Sequence, residues 1–135
     1  RWSGVRTIFA ESASSNPLIR PMWRDEAYLL DMLIACRKIV SISHGLDLPA
    51  FQADEIRQLA LLHLLIITGE AARKISPEFQ AEHPEIPWRE ISGLRNRIVH
   101  EYFQIVPERV WEAVSTSVPK IIPVLESLVP PEDRI

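Results

Sequence analysis

The sequence holds one cysteine, Cys36. That excludes an internal disulfide and a multi-cysteine zinc site, and it suits a reducing compartment such as the cytoplasm. Long apolar runs are missing as well. The longest, Leu59 to Ile67, is nine residues interrupted by His63, far short of the roughly 20 that a bilayer requires, so no membrane span is expected. No secretory signal is visible, because no apolar stretch of adequate length follows the early arginines. There is no basic surplus either: 15 Lys and Arg face 18 Asp and Glu, a net charge of −3. A non-specific nucleic-acid binder usually carries the opposite balance. An enzyme that touches a few phosphates remains compatible with it.

What is present is an ordinary single-domain composition. Of 135 residues, 47% are apolar and 24% charged, enough to offset the entropy of ordering and form one core. Residues 1–22 read as an N-terminal extension, without sustained periodicity and closing on Pro17 and Pro21. Residues 23–129 read as the helical domain and 130–135 as a tail. Nothing reads as a strand, and no repeat is found.

Apolar residues at three- and four-residue steps, from Tyr28 and Leu29 to Ile39 and Val40, predict a first helix from about Trp23 to near Gly45. Pro49 marks a loop. A second helix is expected over about Ala53–Ile75, apolar on all sides in its middle and therefore the most enclosed element. Gly69 inside it implies close approach of another backbone or tight local packing. Ser76-Pro77 starts a short helix, Ser as cap and Pro at the first position. A third long helix is expected from Trp88 to just before Pro107, and a fourth from Pro107 to about Leu128, kinked or broken by Pro119 and Pro123. The fold class is all-α: an antiparallel four-helix bundle with a short extra helix before helix three.

On a wheel of about 100° per residue, Leu94, Ile105, Ile98, Ile91 and Tyr102 fall within roughly 80° and form a core stripe. A second sector holds Arg95, Val99, Phe103, Asn96 and His100. Apolar groups between an arginine and a histidine suit a contact surface. Arg95 and His100 are five residues apart, about 140° around the helix and about 7.5 Å along it. One copy therefore does not converge them on a point. A two-fold axis through this face would, which predicts a composite site on a homodimer seam.

The segment Arg95-Asn-Arg-Ile-Val-His100-Glu-Tyr102 resembles the Arg-x-x-x-x-His-x-Tyr signature of the HepT-like branch of HEPN domains. Thr68-Gly-Glu-Ala71, His83-Pro-Glu-Ile-Pro-Trp88 and Val110-Trp111 agree with it, and the likeness covers about Trp23 to Val129. The resemblance implies a metal-independent endoribonuclease with no cofactor. It implies a dimeric toxin whose antitoxin is a minimal nucleotidyltransferase. It assigns Arg95 and His100 to catalysis and Tyr102 to adenylylation by that partner. The chemistry suits the residue types. Imidazole ordinarily titrates near 6.5 and can move a proton at a ribose 2′-hydroxyl or a leaving 5′-oxygen. Guanidinium is permanently charged and fork-shaped for phosphate. Asn96 and Glu70 are supporting candidates. Glu70 is expected to be buried and paired, either with a structural cation or with Arg95 or His100. The alternative is a non-catalytic helical module that binds a nucleotide or docks a nucleotidyltransferase.

Other chemistry-bearing residues have structural readings. His63, in a leucine-rich run, is expected as a hydrogen-bonded core histidine, and Cys36 as a small buried hydrophobe. Asp25, Glu26 and Asp31 are expected on a solvated face, and Trp88 as the anchor of helix three. Arg97 lies off the Arg95 sector. The acidic residues Glu78, Glu82, Glu85 and Glu90 precede the signature and depart from a basic RNA surface. No histidine pair shows helical metal-ligand spacing, so no metal is expected.

Overall fold

Apolar residues three and four apart draw Arg20–Ser43 into one long helix, α1. Residues 20–130 are described in this computed structural model, and they are helical without any strand. Residues 1–19 and 131–135, most of the expected extension and tail, lie outside them. Helix α1 begins three residues earlier than the expected Trp23 and ends before Gly45, whose φ of +81° is the left-handed conformation glycine takes without strain.

Pro49 does not mark a plain loop. Asp47 accepts a hydrogen bond from the Ala50 N–H at 2.9 Å and caps a short helix, α2 (Leu48–Ala53), with Pro49 in its first turn. Asp54 then caps α3 (Glu55–Lys74) in the same way. Ser76 caps α4 (Pro77–Glu82) as the Ser-Pro pair predicts. Helix α5 covers Trp88–His100, and its entry is fixed by Trp88, whose buried indole N–H donates to the His83 carbonyl at 2.9 Å.

The last long element runs unbroken from Pro107 to Leu128, so of the kink or break expected at Pro119 and Pro123 the break does not occur. It comprises α6 (Pro107–Glu112), a widened π turn (Ala113–Ser117) and α7 (Val118–Leu128). The Val118 N–H reaches back five residues to the Ala113 carbonyl. That wider turn comes just ahead of Pro119, which lacks a donor of its own.

Helix α1 packs on α3 and α7, and α3 packs on α5. The core is centred on α1, where Leu29, Leu30, Met32, Leu33, Cys36 and Ile39 are almost fully buried. The most enclosed helix is therefore α1, in place of the expected second long helix. Helix α3 has α1 on one side and α5 on another, so one strip of it stays uncovered. Ile56, Leu59 and His63 lie exposed there, Ile56 at 81%. The expected core histidine is thus a surface residue.

The solvated face expected of Asp25 and Asp31 is corrected too, since both are buried. Asp25 accepts from the Ser76 N–H at 2.9 Å and the Ser76 hydroxyl at 2.7 Å, tying the start of α1 to the α3–α4 junction. Arg37 and Glu126 join α1 to α7 at 2.7 Å. Cys36 is buried as expected, and burial pushes its thiol up to about 12, against a lowering contribution from its hydrogen bond with Thr68.

Candidate active site

Helix α5 stops at His100, seven residues before Pro107. Ile105 and Val106 are extended, Val106 as the residue before a proline prefers. Tyr102–Gln104 forms a single 3₁₀ turn instead. The wheel positions expected of Tyr102, Phe103 and Ile105 therefore do not hold. Tyr102 leaves the core stripe and is exposed, its ring edge-on to Phe103 with centroids 5.3 Å apart. Phe103 is 96% exposed and Val99 43%.

Arg95 is held from three directions. Its Nη2 donates to Glu70 Oε2 on α3 in a short charged hydrogen bond, and its Nη1 donates to Asn96 Oδ1 at 2.9 Å. Beneath it lies Gly69, where any β-carbon would also sit 3.2 Å from the Ile91 carbonyl. The absent side chain is what lets α5 settle onto α3, the close approach implied by the sequence. The Arg95 side chain is 16% exposed, and its Nε–H is buried without an acceptor among the described residues. The guanidinium thus has a fixed direction and is only partly open to solvent.

Glu70 is not the buried carboxylate expected. Its side chain is 39% exposed, and Arg73 lies 3.7 Å from its other oxygen. Glu70 pairs with Arg95 and not with His100. Arg73 was missed in the sequence, although its position three residues after Glu70 on one helix was a usable signal.

His100 is exposed at the C-terminal end of α5, and Asn96 is exposed one turn earlier. Between them and Arg95 lies the exposed Val99. Ile56 and Leu59 on α3 and Val106 after the 3₁₀ turn are exposed apolar residues as well. His83 is engaged with Glu85 (Nδ1 to Oε2, 3.2 Å), whose carboxyl is held below its ordinary range by a backbone hydrogen bond and by His83. No group of three His, Cys, Asp or Glu suited to a metal ion occurs among the described residues. No helix there is long and apolar enough to cross a membrane.

Comparison with known proteins bears on this arrangement. Residues 32–128 match the HepT-like family, described as ribonuclease HepT-like. The chain is 34% identical over 96 residues to MJ1380 of Methanocaldococcus jannaschii, a candidate RNase by name, covering 71% of this chain and 88% of that protein. It is 33% identical over 94 residues to a protein of Thermococcus cleftensis named "Probable ribonuclease HepT", covering 70% and 86%. No solved structure matches the chain. A family match across most of the sequence, with relatives named as ribonucleases aligned over most of their own length, settles the membership: this chain belongs to the HepT-like ribonuclease family.

Proposed function

We propose that the chain is an endoribonuclease that cuts RNA at a site shared by two copies. The observation that carries this reading is the Arg95–Glu70 pair. A guanidinium is fixed in direction by Glu70 and Asn96, next to an exposed histidine and the exposed Val99 on the same helix. Such an arginine can hold a phosphodiester and offset the charge that builds up in the transition state. His100 removes the proton from the ribose 2′-hydroxyl, and the 2′-oxygen attacks phosphorus. The 5′-oxygen leaves with a proton from the His100 of the second copy. The products are a 2′,3′-cyclic phosphate and a 5′-hydroxyl end. Every step is a proton transfer or a phosphoryl displacement, and none calls for a metal ion or cofactor.

The spacing of Arg95 and His100 on one helix argues for the shared site. The exposed apolar residues Ile56, Leu59, Val99 and Val106 are of the kind that two copies bury between them. Tyr102, two residues beyond His100 and exposed, is open to modification. An adenylyl group there would put a bulky anion beside the phosphate site and silence it. This is consistent with a toxin restrained by a minimal nucleotidyltransferase in the cytoplasm.

The test compares purified wild type with His100→Ala on total and defined RNA, with mass in solution measured alongside. Cleavage by a two-chain species, giving cyclic-phosphate ends and lost in His100→Ala, supports the reading. Intact RNA with wild type refutes it and favours the alternative of a non-catalytic docking module. Intact mass after co-expression with a nucleotidyltransferase reports on Tyr102.

A further inference from the structure

We propose that the cavity beside Tyr102 and Phe103 is a nucleobase subsite, one that seats an unpaired RNA base next to the scissile phosphate and favours bases with an exocyclic amino group. The inference rests on the nuclease reading above for its substrate, and its geometry stands apart from the Arg95–Glu70 pair. The cavity encloses about 430 Å³ and is lined by Phe51, Glu55, Gln58, Leu59, Tyr102 and Phe103, among others. It opens where the chain leaves α5, two residues beyond His100, so a base placed there is a neighbour of any phosphate at that histidine.

Phe103 is almost wholly exposed, with the Tyr102 ring standing at 88° to it. A free aromatic face with a second ring perpendicular to it makes a corner in which a flat base is stacked on one side and bounded on the other. Single-stranded nucleic acid is commonly held on such faces. The cavity of about 330 Å³ between α3, α5 and α7, lined by Leu65, Thr68, Glu90, Ile91 and Leu94, carries no ring and offers nothing to stack on.

Apart from the Tyr102 hydroxyl, which can donate or accept, the polar side chains of the ringed cavity offer acceptors. Glu55 brings a carboxylate. Gln58 spends its amide N–H groups on the Phe51 and Gln52 carbonyls, at 2.6 and 2.8 Å, which leaves its own carbonyl oxygen. Two acceptors select a base that offers donors. Guanine presents N1–H and its 2-amino group side by side to one carboxylate. Adenine and cytosine present one amino group each. Uracil offers a single N3–H between two carbonyls that an acceptor repels. The expected order is guanine, then adenine and cytosine, then uracil.

The experiment uses the full chain and short fluorescent 2′-O-methyl oligonucleotides, one of alternating adenine and guanine and one of uracil, which bind without being cut. Wild type should bind the purine strand about 10-fold more tightly than the uracil strand. Phe103→Ala should weaken both by about 10-fold, the size of one lost stacking contact. Glu55→Gln should leave uracil binding unchanged and erase most of the preference. Both side chains are exposed, so unchanged thermal melting will show that the variants fold. Wild-type binding to both strands by both variants overturns the subsite. So does weakened binding by Phe103→Ala that coincides with dissociation into single chains, because that assigns the ring to contact between copies. A wild type that binds in the expected pattern yet cuts no RNA defeats the nuclease reading while the base subsite stands.

Discussion

Gly69 is the seat of Arg95: a β-carbon at Gly69 would collide with the Arg95 Cβ and lie 2.9 Å from its Cγ. Replacement of Gly69 by alanine should therefore cost stability even though alanine is the better helix former. Overpacking of this kind costs about 1–3 kcal/mol, against about 1 kcal/mol gained in propensity. The displaced Arg95 should also lower RNA cleavage by about 10-fold or more. Urea unfolding and cleavage rates measured on the same Gly69→Ala preparation check both.

Glu70→Gln separates positioning from stability. The pair is partly exposed, so its loss should cost no more than about 1 kcal/mol. With the carboxylate gone, Arg95 keeps its charge and loses its fixed direction, so under the proposed role it would still attract a phosphate but present itself to it less well. The expected result is a kcat lowered by about 10-fold with KM not raised. A raised KM with unchanged kcat would show that Glu70 does not orient the arginine.

Asp25→Ala tests a contact that involves neither Arg95 nor His100. Two hydrogen bonds to Ser76 disappear together with the tie between α1 and the α3–α4 junction. A destabilisation of about 2–3 kcal/mol is expected. Cleavage per folded molecule should be unchanged, read below the melting transition.

Cys36 predicts an alkaline weakness. Its thiol ionises at its ordinary value of 9.0 once the chain unfolds, but only near 12 while folded. The raised folded value means the contribution is fully present below pH 9 and is lost as pH climbs from 9 towards 12, at up to about 1.4 kcal/mol per pH unit. Cys36→Ala should lower stability at neutral pH through its cavity and show a shallower decline over that window. A thiol reagent should label wild type only after denaturant is added.

Much of the fold was legible because its signals are local. Ser76-Pro77, Trp88 after Pro87, and Gly69 each announce what their immediate backbone does, and each does it. The errors share a different cause. His63 looked like a core residue because its neighbours in sequence are leucines, yet burial depends on which helices cover that strip, and none among the described residues buries it. Asp25 looked solvated because its partner Ser76 is 51 residues away. The early end of α5 was hidden because the proline signal marks only Val106, whereas the chain leaves the helix at His100 for a 3₁₀ turn. Of the candidate site, the Glu70–Arg95 pairing was among the readings left open, and the exposed Tyr102–Phe103 corner was concealed by assuming that the helix continued.

The widened turn at Ala113–Ser117 joins two halves of one rod. Val110, Val114 and Val118 follow at steps of four, then Ile121 and Leu125, and all are buried. In a regular helix these five positions would still lie within about 80° of one another, so what the wider turn relieves is local: it comes just ahead of Pro119, whose ring in regular winding meets the carbonyl four residues before it. Deleting a single residue within the turn would restore regular winding and bring on that clash, at a cost of about 3 kcal/mol. The molecule should tolerate substitutions of Ser115 or Thr116 far better than a shortening by one.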